Sequence, residues 1–307
     1  MKNHFKFISI IYALLLCIIL YYNNFFFLPD YDTAKEIIYM YHNEIWMKYP
    51  HHQLIIPYYK LFFWLLSFIN DDYNKFILIF LTHYFIGLIV IWKIIEFLSN
   101  NQWIAFLYYI SISISGIVLF NILTFEDGII TFPFYLLSFY LFILFYDSKK
   151  INLLIFSAMI SGFSVSINSS DFFLVVGICG FFGIHFIYEI YKNKKYINIY
   201  IFYLLIYLIS FFSILLILLS IKSYIGNESL ITLIKYTFLS PHIIYKGFLG
   251  EFGITIPRII KTMNMFSFIL IQDSRFFYQL NFNIIIYNFV IILILIYAVW
   301  TIRDYKP

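Results

Sequence analysis

The acidic residues of this chain gather in a few short turns. Asp30 and Asp32 follow the first apolar run, Glu126 and Asp127 fill a turn between two others, and Asp171 stands between two more. Carboxylates beside apolar walls are costly unless a cation, a proton or a polar substrate compensates them. Gathered at one end of a helix bundle, they can act as a general base toward an acceptor hydroxyl or hold a divalent cation such as Mg or Mn. Each has a plainer reading as well. Thr33-Ala34-Lys35-Glu36 fits a capping box, Asp71-Asp72 suits a solvated turn, Glu126-Asp127-Gly128 suits a tight turn, and Asp171 suits a helix cap. His51 and His52 follow Tyr49-Pro50 and precede an apolar stretch. Adjacent histidines face different sides of a regular helix, so one helix cannot bring both to one metal. His83 and His185 fall inside apolar runs, where a bond to a neighbouring helix is the expected role.

The setting of these residues is a membrane. Hydrophobic residues make up 63% of the 307, charged residues 12%, and the mean hydropathy is +0.88. A soluble domain carries roughly 25% charged residues, so too little polar surface is left here to coat a soluble particle. The 39 Phe and 29 Tyr reflect a compositional bias and make single aromatic residues poor functional markers. Trp46, Trp103 and Trp300 are the exception, reading as interface anchors near the ends of apolar runs. Cys17 and Cys179 lie inside apolar runs and suggest neither a disulfide framework nor redox chemistry. The sequence carries no zinc-ligand spacing, Gly-rich phosphate loop, serine-protease constellation or nucleic-acid signature.

A helix needs about 20 apolar residues to cross the hydrocarbon. The runs 7–28, 76–98, 103–123, 129–146, 153–168, 172–191, 197–221 and 281–302 predict eight spans, the first an uncleaved signal anchor. The stretches 54–69 and 254–271 carry Lys60, Arg258 and Lys261 and predict helices lying at or dipping into the interface. Eight spans put the N-terminus, the turns near 100, 148 and 194, and the C-terminus on one side. That side holds ten basic residues (Lys2, Lys6, Lys93, Lys149, Lys150, Lys192, Lys194, Lys195, Arg303, Lys306) against four acids (Glu96, Asp147, Glu189, Asp304). Short basic loops mark the cytoplasm. The expectation is an all-α, multi-pass helix bundle of the inner membrane with both termini cytoplasmic. Residues 1–221 form a seven-span module with an external segment 29–75, and 222–307 add a long external loop with interfacial helices and a last span.

This order of elements resembles the GT-C fold, the polytopic glycosyltransferases that use lipid-linked sugar donors and include protein O-mannosyltransferases and aminoarabinose transferases. Tyr31-Asp32-Thr33-Ala34-Lys35-Glu36 is similar to the first-loop acidic motif of that class, and Tyr49-Pro50-His51-His52-Gln53-Leu54 to its histidine element. Glu126 and Asp127 stand where the class often has its second acidic motif. The resemblance implies two interfacial helices in the first external loop and an active site at the external face. It implies Asp32 as the general base, with Asp30 as substitute. Glu126 and Asp127 would orient an acceptor or a metal. His51 or His52 would contact the donor, a sugar on a polyprenyl phosphate, and the acceptor would be a glycan, lipid or protein. Lys246, Arg258 and Lys261 are external cations beside apolar residues, for which a polyprenyl phosphate is a natural counter-charge and membrane headgroups the plainer one. The chain departs from the class in stopping one span after the seven-span module. A transporter or flippase, or a non-catalytic subunit of a glycan-assembly or export complex, is the rival class. Against a transporter, no inverted repeat and no matched pair of Gly/Pro-broken spans is present.

Overall fold

The computed structural model describes residues 2–22, 54–99, 101–115, 127–168, 171–192 and 197–238. Every regular element among them is a helix: α1 (Lys2–Tyr22), α2 (Ile55–Leu65), α3 (Asp72–Leu98), α4 (Gln102–Ser113), α5 (Asp127–Ser148), α6 (Ile151–Ile167), α7 (Phe172–Lys192), α8 (Ile197–Gly226) and α9 (Leu230–Phe238). Four stretches among the described residues are long and apolar enough to cross a membrane: His4–Tyr22, Asp72–Leu98, Gly128–Ser148 and Ile197–Gly226. These four helices mark the chain as a membrane protein whose regular elements, among the described residues, are all helices. In α6, in α2 and over Leu174–Tyr188 of α7 the helix is apolar but shorter. Described helices thus stand at seven of the eight predicted spans. In the fourth-numbered helix, Gln102–Ser113 covers the first half of 103–123, and 281–302 lies outside the described residues.

Local chemistry sets the helix ends. Asp71 caps α3 by accepting the Tyr73 amide at 3.0 Å, and its other oxygen takes Asn74 Nδ2 at 2.6 Å. Asn101 Oδ1 does the same for the amides of Trp103 and Ile104 at 2.9 and 3.3 Å. Such caps satisfy amide groups that have no partner inside the helix. In the α5–α6 turn Lys149 adopts φ 57°, and its amide reaches back to the Phe145 carbonyl at 2.7 Å. Burial pulls the Lys149 amine below its usual value, against the opposing pull of Asp147, and the amine sits 3.9 Å from the centre of the Tyr146 ring.

Apart from 110–115, the described residues belong to one compact unit. Within it α1 packs on α3, α3 on α5, α5 on α6, and α6 on α8, while α7 and α9 lie against α8. The α8 helix shows how one face is chosen. Tyr207, Phe211, Leu215, Leu219 and Lys222 recur every three or four residues and are buried, whereas Ile209, Leu216 and Ile217 are exposed. An apolar outer face of this kind needs lipid rather than water around it.

The α5–α6–α8 seam is built on small residues. Ser138 Oγ lies 2.6 Å from Ser161 Oγ and 2.9 Å from the Ser157 carbonyl, Ser157 Oγ donates to the Ser138 carbonyl at 2.8 Å, and Ser161 Oγ meets the Tyr207 hydroxyl at 3.0 Å. A Cβ on Gly162 would stand 2.7 Å from the Phe211 carbonyl oxygen, so only glycine lets α6 and α8 approach this closely. Small residues and interhelical hydroxyl bonds are how helices associate where lipid removes the hydrophobic driving force.

Candidate functional site

The head of α6, its last turn and the turn that follows, is where polar groups of four helices meet. Ser164 donates a short hydrogen bond to Asp171, which lies just before α7. The charge on Asp171 also reaches Tyr135 of α5. Two residues beyond Ser164, the Ser166 carbonyl accepts the Leu54 amide at 3.0 Å, which brings the start of α2 to the same turn. Ser164, Ser166 and Asn168 are buried, whereas Asp171 is half-buried and accessible. Because α5 and α6 are joined by the tight 149–150 turn and pair Ser138 with Ser157 and Ser161, they run antiparallel. The start of α5 at Asp127 therefore stands at the same end of the bundle as the head of α6. At the opposite end Tyr146 of α5, His185 of α7 and Tyr200 of α8 stack together, His185 and Tyr200 with ring centres 5.3 Å apart.

The α2 helix reaches this junction through a buried polar pair. The Tyr58 hydroxyl lies 2.6 Å from His83 Nε2, and His83 Nδ1 lies 2.7 Å from the Ile79 carbonyl. A carbonyl only accepts, so Nδ1 carries the proton and, in the neutral ring, Nε2 accepts from Tyr58. Burial pushes the Tyr58 phenol above its usual value, which keeps it a hydrogen-bond donor. Phe62, Phe134 and Phe163 surround the pair. Further along, Tyr59 rests on Phe76 and Phe80 and Phe63 on Phe76, so α2 runs antiparallel along the first half of α3, to which it is joined by residues 66–71.

Of the sequence-predicted site residues, Asp30, Asp32, His51, His52, Glu126, Lys246, Arg258 and Lys261 lie outside the described residues. Asp127 is the first residue of α5. Two described neighbours of these residues stand at one end of the bundle. Leu54, two residues after His52, is bonded to the head of α6, and Asp127, one residue after Glu126, opens the helix beside it. Asp71 and Asp72 take the plainer reading: Asp71 is a helix cap and Asp72 pairs with Lys75 at 2.7 Å. Among the described residues no group of three or more His, Cys, Asp or Glu gathers to hold a metal ion. The Tyr58–His83 pair was hidden in the sequence because Tyr58 is one of 29 tyrosines. Its signal was on the other side, in a histidine placed inside an apolar run.

Comparison of the chain with protein-family models, with curated proteins and with solved structures finds no match.

Proposed function

We propose that this protein is a membrane glycosyltransferase of GT-C type, with eight spans and two helices in its first external loop. It would transfer a sugar from a polyprenyl-phosphate donor to an acceptor at the external face of the inner membrane. The observation that supports this reading is the gathering at the head of α6. The start of α2, the start of α5 and the half-buried Asp171 share one end of the bundle. Carboxylates brought together in a partly dry site repel one another unless a proton, cation or substrate hydroxyl intervenes. A substrate hydroxyl fits the chemistry. Asp32 or Asp30 takes the acceptor proton as the hydroxyl oxygen attacks the sugar carbon. Asp171, Glu126 and Asp127 orient the acceptor, while the lipid phosphate departs with the bonding electrons toward Lys246, Arg258 and Lys261. The basic turns at 149–150 and 192–195 then face the cytoplasm.

The test is transfer in membrane vesicles supplied with isotope-labelled polyprenyl-phosphate hexose or pentose. Asp32→Asn preserves shape and removes the base, and its transfer rate is expected to fall by about 10²–10⁴. Full transfer by a chain carrying both Asp32→Asn and Asp30→Asn would overturn the catalytic assignment. No transfer by the unaltered chain from either donor would overturn the reaction class.

A further inference from the structure

We propose that the Tyr58–His83 hydrogen bond is a positioning contact that seats α2 on the head of α6 and so holds Leu54 on the turn that also binds Asp171. The proposal rests on reading this end of the bundle as the reacting end. The α2 helix has little of its own to hold its start. It is 11 residues long, its first turn has no acid, and Leu54 makes no side-chain cap. Isolated helices of this length are marginal. Two bonds to other elements take the place of a cap, Leu54 to Ser166 and Tyr58 to His83.

Aromatic packing alone would not select one seating. Phe62, Phe134 and Phe163 offer Tyr58 an apolar surroundings that a rotated or slipped helix could also use. The hydroxyl changes that. Any other register leaves it, or His83 Nε2, buried among rings without a partner, and an unsatisfied polar group in such a place is disfavoured. The His83 ring is itself held by the Ile79 carbonyl of its own helix, so Nε2 presents a fixed acceptor. The seat lies on the same turn of α6 that holds Asp171, since Phe163 touches Tyr58, Ser164 binds Asp171 and Ser166 binds Leu54. A shift of α2 would therefore displace Leu54 relative to that carboxylate.

Hydrogen exchange of the full chain in detergent micelles tests the seating without any substrate. The reporter is the peptide that includes the Leu54 amide. Tyr58→Phe removes one oxygen and keeps the ring; exchange at Leu54 is expected to quicken about tenfold, the loss of one net hydrogen bond. His83→Leu should do the same, whereas His83→Gln, whose amide oxygen can accept from Tyr58, should restore slow exchange. Peptides from the α5–α6–α8 seam should not change in any variant, which separates unseating from unfolding. In vesicles, Tyr58→Phe and His83→Leu should lower the turnover of sugar transfer with the donor KM unchanged, and His83→Gln should recover it. Unchanged exchange at Leu54 in Tyr58→Phe, or equal exchange in His83→Leu and His83→Gln, would overturn the proposal. Because exchange needs no donor, that failure leaves the transfer reading untouched, and absent transfer leaves the seating to be decided by exchange.

Discussion

The α5–α6–α8 seam and the head of α6 use the same helix in opposite ways. Along the seam, Ser138, Ser157, Ser161 and Tyr207 are all buried, and their hydroxyls bond to one another or to backbone carbonyls. At the head, Ser164 spends its hydroxyl on a half-buried carboxylate, and the Ser166 carbonyl holds the start of a short helix from elsewhere in the chain. Serines spaced along one helix thus pack it at mid-length and build a polar corner at its end. A closed network stabilises and has nothing left to offer a ligand. A corner with an accessible carboxylate does.

Substitutions can widen or erase this contrast. The largest effect on stability is expected at Gly162, where a side chain meets the Phe211 carbonyl rather than a movable group. Gly162→Leu should destabilise the fold by about 3 kcal/mol, the upper range for overpacking, seen as loss of folded protein on denaturant titration in mixed micelles. Ser161→Ala comes next. It deprives both Ser138 and Tyr207 of a partner in a buried setting, and is expected to cost about 2 kcal/mol. Both should leave the turnover per folded molecule unchanged. Asp171→Asn should reverse the pattern. Its amide oxygen can still accept from Ser164, so the stability change is expected to stay below about 1 kcal/mol, while sugar transfer falls. Equal losses of transfer in Ser161→Ala and Asp171→Asn, after correction for folded protein, would erase the distinction between the two regions.

Much of the helical framework was legible in the sequence. Long apolar runs and a few charges located α1, α3, α5 and α8, because lipid imposes a length and a polarity that read directly from residue types. The boundaries were less so. The α3 helix begins at Asp72 rather than near residue 76, since its cap and the Asp72–Lys75 pair carry it past the apolar run. In α6 the apolar run by itself predicts a plain span, although Ser157, Ser161 and Gly162 have the spacing of a packing face. Residue types over 54–69 predict a helix lying at or dipping into the interface, and a helix stands there over Ile55–Leu65. Its seat was not legible, because it depends on His83, 25 residues from Tyr58. Residue types leave Asp171 either a member of an acidic site or a helix cap. Its bond to Ser164 is a tertiary fact that residue types alone do not encode.

Sidedness decides whether the end of the bundle at the head of α6 can form an external site. Asn70, Asn101, Asn152 and Asn227 are all exposed and lie just outside described helices or at their ends. Each can be replaced by cysteine in a chain whose Cys17 and Cys179 have been changed to alanine, and offered a membrane-impermeant maleimide in intact cells. An external first loop, with eight spans in all, predicts rapid labelling at Asn70→Cys and Asn227→Cys, and labelling at Asn101→Cys and Asn152→Cys only after the membrane is opened. Labelling of Asn70→Cys only after opening, or of Asn152→Cys in intact cells, would contradict it.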